Sequence, residues 1–172
     1  MDLSYGYDPN GNVISIVDGL NPPAGPALQP LETYTYGPGT NRLTEISGTP
    51  PTTFEYDNGY PDRNGNITSE TISPNGLTYV YDASNQLKQV LYNSNEIAAY
   101  TYNGAGRRIK KVAGGVTTIF HYDLNGHLIA ETNQNETMLA EYVYLGDQLL
   151  AMIKPGENVY YFHNDHLGHR GC

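Results

Sequence analysis

Along most of this chain aromatic and aliphatic positions alternate with polar ones at a period of two, in short runs cut by Gly, Pro, Asn and Asp. Residues i and i+2 share one face of an extended strand, so the pattern predicts strands with one covered and one solvated face. Its clearest carrier is a word, Tyr/Phe-x-Tyr followed by Asp, Asn, Gly or Leu. The word stands at Tyr5-Gly6-Tyr7-Asp8, Tyr34-Thr35-Tyr36-Gly37, Phe54-Glu55-Tyr56-Asp57, Tyr79-Val80-Tyr81-Asp82, Tyr100-Thr101-Tyr102-Asn103, Phe120-His121-Tyr122-Asp123 and Tyr142-Val143-Tyr144-Leu145. A degenerate eighth copy follows at Tyr160-Tyr161-Phe162-His163. From Tyr34 to Phe120 successive copies start 20, 25, 21 and 20 residues apart, the fixed-period self-similarity of a repeat architecture.

Each word is followed by a break with a mechanism. In Asp8-Pro9-Asn10-Gly11, Asp82-Ala83-Ser84-Asn85 and Asp123-Leu124-Asn125-Gly126 an Asp precedes Gly or Asn by three positions. The carboxylate can accept from backbone amides two residues on, and Gly or Asn tolerates the positive φ of a tight reversal. Five residues past the Asp the chain turns apolar again, at Val13, Leu87 and Leu128. Strand, turn and strand make one β-hairpin per repeat. The third copy lengthens its turn from Asp57 to Gly65, an insertion suited to an exposed tip. The fifth, Asn103-Gly104-Ala105-Gly106-Arg107-Arg108-Ile109, shifts its aliphatic by one position and predicts a bulge.

The Tyr pairs are expected on one face, with Tyr81, Tyr102, Tyr122 and Tyr144 largely buried and the intervening Val80, Thr101, His121 and Val143 outside. The Asp-to-Gly segments should form the rim opposite the inter-repeat loops. No window of a dozen residues carries a helical apolar period free of Gly, Pro or a turn cluster. The fold class is therefore all-β: repeated antiparallel hairpins in a continuous curved or spiral sheet. A single domain over 1–172, of about eight repeats with the last degenerate or truncated, is the simplest division.

Composition adds to this. Hydrophobic content is 38% of 172 residues, enough for a packed interior. Trp is absent and Phe numbers three against sixteen Tyr, so phenols must supply most aromatic burial, and buried hydroxyls need partners. Nine Lys and Arg against eighteen Asp and Glu leave a net charge of −9, which speaks against nucleic acid and anionic membranes as partners. The basic knot of Arg107, Arg108, Lys110 and Lys111 reads as a solvated hairpin that discourages edge pairing. One Cys, Cys172, excludes an internal disulfide framework. The chain opens without a signal-peptide pattern and holds no long apolar stretch, so no membrane insertion is expected.

The seven words, the Asp-x-x-Gly and Asn-Gly turns, Asn41-Arg42-Leu43-Thr44-Glu45-Ile46, and the closing Tyr160-Tyr161-Phe162-His163-Asn164-Asp165-His166-Leu167-Gly168 together resemble the tyrosine-aspartate (YD) repeats of the Rhs family. Such repeats also occur in teneurins and in shell components of insecticidal toxin complexes. The likeness covers essentially the whole chain, and its last stretch looks like the opening of the Rhs-associated core segment. It implies a wall of hairpins wound into a hollow cocoon around a C-terminal toxin. The expected partners are then the rest of a larger shell and its toxin cargo, and the expected location is secreted or cell-surface by a specialised secretion system. The chain departs from the pattern after Leu167-Gly168, where His169-Arg170-Gly171-Cys172 replaces the usual small residue and Pro. Neither a self-cleavage motif nor a toxin domain is present, so those activities attach to no residue here.

Candidate chemistry is sparse. His163, His166, His169 and Cys172 recur at a spacing of three, a ligand set that zinc would accept, but spacing of three fits a single turn only loosely. The aspartates are explained by their turns, and no catalytic, nucleotide or cofactor motif stands out. Asn66-Ile67-Thr68 and Asn135-Glu136-Thr137 match glycosylation sequons. The sequence thus reads as a non-enzymatic structural module without cofactor. Its structural repeat residues are Tyr5, Tyr7, Asp8, Tyr34, Tyr36, Phe54, Tyr56, Asp57, Tyr79, Tyr81, Asp82, Tyr100, Tyr102, Phe120, Tyr122, Asp123, Tyr142 and Tyr144. Unblunted terminal strands suggest head-to-tail self-association, in which a charge at Tyr7 or Tyr161 matters more than a change at the loop residue Asp62. The rival reading is a carbohydrate-binding surface module, whose rings would stack on glycans.

Overall fold

The computed structural model describes residues 3–18, 32–57, 64–156, 159–164 and 170–171. Among them all regular structure is strand: β1 (Leu3–Tyr7), β2 (Val13–Asp18), β3 (Glu32–Tyr36), β4 (Leu43–Ile46), β5 (Thr52–Tyr56), β6 (Ile67–Ile72), β7 (Asn75–Tyr81), β8 (Leu87–Tyr92), β9 (Asn95–Tyr102), β10 (Arg108–Ala113), β11 (Val116–Tyr122), β12 (Leu128–Thr132), β13 (Met138–Leu145), β14 (Gln148–Ile153), β15 (Val159–Tyr161), β16 (His163–Asn164) and β17 (Arg170–Gly171). The first fifteen follow one another in chain order in a single sheet, and β16 pairs with β17 separately. Every odd strand from β1 to β13 ends in or beside the second aromatic of a word, and every following even strand begins just past the turn, as the hairpin reading requires.

The chain divides into two compact units, 1–81 with 90–95, and 82–89 with 96–172. In the first, β1–β2, β3–β4 and β5–β6 are hairpins across Asp or Gly turns, and β2–β3, β4–β5 and β6–β7 join one repeat to the next. In the second, β9–β10, β11–β12 and β13–β14 are the hairpins, with β10–β11, β12–β13 and β14–β15 as the joins. All these pairs are antiparallel, so the Asp turns and the inter-repeat connections lie at opposite strand ends.

Four of the turns, those opened by Asp8, Asp82, Asn103 and Asp123, have one construction. In the first, the Asp8 amide donates to Asn12 O (2.9 Å) and the Gly11 amide to Asp8 O (3.0 Å), while Gly11 sits at φ +86°. A tight turn closed by a residue in the left-handed region brings a bulge with it. The same position holds Asn85 at +62°, Gly106 at +76° and Gly126 at +91°. The bulge expected for the fifth copy is found, with the register shifting between Arg108 and Lys110. It is also the rule: the first, second, third, sixth and seventh hairpins shift at Gly6/Tyr7, Thr35/Tyr36, Glu55/Tyr56, His121/Tyr122 and Val143/Tyr144. The second tyrosine of each word thus faces the strand opening beyond the turn, one residue out of simple register.

Face assignment follows the alternation. Tyr81, Tyr102, Tyr122 and Tyr144 are half-buried, and Val80, Thr101, His121 and Val143 are exposed. The depth of burial differs from expectation. Only Val90, Ala98, Ala140, Leu149 and Ala151 form a buried hydrophobic core among the described residues, with Thr132 beside them, and no large side chain is fully buried. Among the described residues the packed, Tyr-lined interior expected from composition is not found, for a physical reason. A sheet face covered, among the described residues, by rings of its own neighbouring strands leaves each ring partly in solvent.

One inter-repeat connection reuses the turn mechanism unannounced. Between β12 and β13, Asn133 Oδ1 accepts from the amides of Asn135 (2.9 Å) and Thr137 (3.0 Å), and Glu136 takes the left-handed position at φ +62°. A non-Gly residue there carries a cost of roughly 1–2 kcal/mol. Glu136→Gly is expected to stabilise the chain by about 1 kcal/mol, read as a higher urea midpoint at unchanged m-value.

Candidate functional site

Three sets of side chains link one repeat to the next, and each is built from the word and its turn. The first set is the second tyrosine. Among the described residues strand β2 pairs with β3 through Ser15↔Thr33 and Ile16↔Glu32, so Val13 lies beyond the ladder on that side. The Tyr36 hydroxyl donates to its carbonyl at 2.9 Å. The arrangement recurs from Tyr56 to Leu43 O (2.8 Å), Tyr81 to Ile67 O (3.0 Å), Tyr102 to Leu87 O (2.9 Å) and Tyr122 to Arg108 O (2.9 Å). Each acceptor opens, or immediately precedes the main pairing of, the even strand of the preceding repeat. The phenol closes the gap that the bulge opens.

The first aromatic of the word makes a second set. Tyr79 donates to Glu70 Oε2 (3.1 Å) and Tyr142 to Glu131 Oε1 (2.7 Å), in both cases a carboxylate on the preceding even strand. Tyr34 donates to Glu32 on its own strand. In the fifth and sixth copies a cation replaces the carboxylate: the Arg108 guanidinium lies 5.2 Å from the Tyr100 ring and 5.3 Å from Phe120, a placement that favours attraction to both ring faces. Burial pushes the Tyr79, Tyr81, Tyr102 and Tyr142 phenols above their ordinary range, with the Glu70 and Glu131 carboxylates adding to it at Tyr79 and Tyr142.

The third set runs along the turn rim. Each turn is held by its opening side chain: Asp8 Oδ1 accepts from the Asn10 and Asn12 amides (2.9 and 2.8 Å), Asp82 Oδ1 from Ser84 and Gln86 (2.9 and 3.0 Å), and Asn103 Oδ1 from Ala105 and Arg107 (both 3.0 Å). Asp123 Oδ1 accepts from His127 (2.8 Å) and Asp57 Oδ1 from Gly65 (2.8 Å) across its longer loop. In the second copy Gly37 has no side chain, and Thr40 supplies the hydroxyl, donating to Gly37 O (2.9 Å).

In five of the turns the closing residue then reaches forward. Asn12 Nδ2 donates to Asn41 Oδ1 (3.0 Å) and Gln86 Nε2 to Gly106 O (2.9 Å). Arg107 lies so closely on Gly126 that a Cβ there would meet its Nη2 at 1.8 Å, and Arg42 lies on Gly65, where the same distance would be 3.5 Å. Arg42 and Arg107 also stand 5.3 and 5.9 Å from the Tyr56 and Tyr122 rings. His127 stacks on Tyr144 with ring centroids 4.6 Å apart and contacts Asp147 on the next turn at 3.0 Å. Asn, Arg, Gln and His share a planar polar group able to lie on a ring and bond beyond it. The sequence reading passed over this position; its signal was a planar side chain directly before each new apolar run.

What the arrangement does is couple neighbours. An open recess of about 480 Å³ beside Arg42, Phe54 and Tyr56 has its hydroxyls committed, Thr40 to Gly37 O and Thr44 to Thr35 O. Among the described residues no cluster of three or more His, Cys, Asp or Glu is placed to hold a metal. The array of His163, His166, His169 and Cys172 lies outside the described side chains.

A family model, Teneurin YD-shell, matches residues 1–169. The chain belongs to this family. Among curated YD-repeat relatives, the tRNA3(Ser)-specific nuclease WapA of Bacillus spizizenii is 28% identical over 172 residues, which is 95% of this chain and 6% of that protein. The tRNA nuclease WapA of Bacillus subtilis strain 168 is likewise 28% identical over 95% of the chain. This YD-shell chain therefore spans about 6% of the length of the curated relatives it matches. It is also similar to the TcdB2-TccC3-TEV crystal structure (TM-score 0.47, 14% identity, 98% of this chain and 12% of that one). The Photorhabdus luminescens Tc holotoxin pore gives a TM-score of 0.48 at 13% identity, over 98% of this chain and 11% of that one.

Two outcomes follow from the YD-shell geometry. Tyr102→Phe removes a donor and leaves the part-buried Leu87 carbonyl unmet, for an expected loss of about 1 kcal/mol. Tyr92→Phe, at a half-exposed phenol with no hydrogen bond among the described residues, should change stability by less than about 0.5 kcal/mol in the same urea series. The pH profile is bounded on both sides. The Asn12 side-chain amide holds the Asp8 carboxyl below its ordinary range. At Asp123 partial desolvation works upward but is outweighed by the His127 amide and ring. Depressed carboxyl values add stability above the ordinary range near pH 3.8 that is lost as pH falls through the folded value; raised phenol values add stability below pH 10 that is lost as pH rises. Thermal unfolding should thus show a broad plateau flanked by acid and alkaline losses.

Proposed function

We propose that this chain is a stretch of wall in a YD-repeat shell that encloses a toxin cargo, a structural and non-enzymatic part of a protein that acts outside the cell that makes it, reached by a specialised secretion system. One observation carries the reading: the polar groups of the words and turns are spent within the array of repeats, phenol to the preceding carbonyl, turn carboxylate to its own amides and closing side chain to the next turn. The turn aspartates, the residues best suited to acid–base work by number, each accept from their own turn's amides. Membership of the YD-shell family supports the same role, and the nuclease named in the WapA relatives fits an activity carried by other parts of those much longer proteins. The division into one domain of about eight repeats belongs to this reading.

The finer reading concerns what meets the outer repeats. Tyr5 and Tyr7 on β1 keep 48% and 58% of their surface exposed, where Tyr34, Tyr36, Tyr79, Tyr81, Tyr100 and Tyr102 at the same positions of inner words are half-buried, and Tyr161, at the middle position of its word on β15, is 70% exposed. Another repeat, of the same shell or of a second copy, fits those surfaces head to tail. The test is light scattering and calorimetry on the purified chain. Association that grows with concentration, weakened more by Tyr7→Glu or Tyr161→Glu than by Asp62→Asn, supports the wall. A monodisperse monomer at high concentration removes the head-to-tail reading, and millimolar glycan binding on an array would replace the wall with a carbohydrate-binding module.

A further inference from the structure

Among the described turn-closing residues one can change charge near neutral pH. Asn12, Arg42, Asn66, Gln86 and Arg107 keep their state across that range, whereas histidine titrates between about pH 5 and 8. The His127 imidazole is held on three sides. Its Nδ1 is 3.0 Å from Asp123 Oδ2 on its own turn, its Nε2 is 3.0 Å from Asp147 Oδ1 on the following turn, and its ring stacks on Tyr144 at 4.6 Å with 26° between planes. The His127 side chain is 19% exposed, against 32% for Asp123 and 97% for Asp147.

A neutral imidazole carries one N–H and one lone pair. It can donate to one carboxylate and must then turn its lone pair on the other at the same short distance. An imidazolium donates to both. Only the bond to Asp147 crosses from the sixth repeat to the seventh, and its partner carboxylate is the more solvated and so the easier to release. We propose that His127 is a proton-operated joint between the sixth and seventh turns, closed by the imidazolium and loosened when the ring is neutral.

Its charged and titratable surroundings are the Asp123 and Asp147 carboxylates, which accept from the two ring nitrogens when both carry protons, the Arg107 guanidinium, which lies on Gly126 immediately before His127, and Tyr144, whose ring face accepts either form. The joint is complete on the acid side of the histidine range, loses its second bond as pH rises through that range, and fails again only where the carboxylates take up protons. Because the contact belongs to the chain's own rim, the joint and the wall reading stand or fall separately.

Hydrogen exchange on the full chain tests it, comparing amides 144–148 at pH 5.5 and pH 8 after correction for intrinsic rates. An exposed ion pair supplies about a two- to fivefold effect, so protection is expected to be higher by that factor at pH 5.5. The ratio should fall to about one in Asp147→Asn, which alters a fully solvated side chain, and in His127→Gln, which keeps a planar amide of the kind Gln86 uses to reach the next turn. Nitrogen NMR of the ring should show both nitrogens protonated at pH 5.5. An unchanged ratio in both variants, or protection that rises with pH in the wild type, overturns the proposal.

Discussion

The hydrogen bond from the second tyrosine of one repeat to a backbone carbonyl of the repeat before it is the constraint on which the rest of the chain depends. Antiparallel strands can pair along their whole length only if they stay in simple register, and here six of the seven hairpins carry a bulge beside that tyrosine. Past the bulge the even strand leaves the ladder to the next repeat, and the carbonyls of Val13, Leu43, Ile67, Leu87 and Arg108 are met there by a phenol. A phenol is long enough to span the gap and ends in a donor. Phenylalanine would fill the space and leave the acceptor unmet, which accounts for Tyr at positions 36, 56, 81, 102 and 122 while the first position of the word accepts Phe54 and Phe120.

The turn rim answers a related need. A backbone reversal exposes amides that no strand can reach, and Asp8, Asp82, Asn103 and Asp123 satisfy them from within the turn. Once the opening residue has dealt with its own backbone, the closing residue is free to deal with the neighbour. Its side chain lies over the next word's tyrosine or bonds into the next turn. Tyrosine, turn and closing residue therefore form one unit whose interactions point in a single direction along the chain.

Cohesion of this kind is local. Each repeat is stabilised mainly by the one before and the one after, as in other repeat proteins, and the buried core is correspondingly slight, concentrated at Ala140, Leu149 and Ala151. A wall needs no deep interior at any one point; it needs every joint to be made. That logic suits a YD shell, in which strength comes from repetition, and it leaves individual joints open to variation, as in the exchange of Glu70 or Glu131 for Arg108 beside the first aromatic.

The words, their period and the Asp turns were legible in the sequence because they are set by short-range physics: alternation at period two puts both rings of Tyr-x-Tyr on one face, and Asp with Gly or Asn three residues later makes a tight reversal. The strands, their order and the face of each tyrosine follow from these alone. The bulge was visible only at Ile109, where it displaced an aliphatic, although it occurs throughout; elsewhere the apolar pattern Val13-Ile14 or Leu128-Ile129 conceals which residue is the extra one. The Asn133 turn was missed because Glu136 stands where Gly or Asn marks the others. The acceptors of the phenols, the forward reach of Asn12, Gln86 and Arg107, and the contact of His127 with Asp147 join residues 13 to 29 positions apart. Only the tertiary structure decides them, because the distance between two turns depends on how far the intervening strands splay, and that is a property of the assembled sheet.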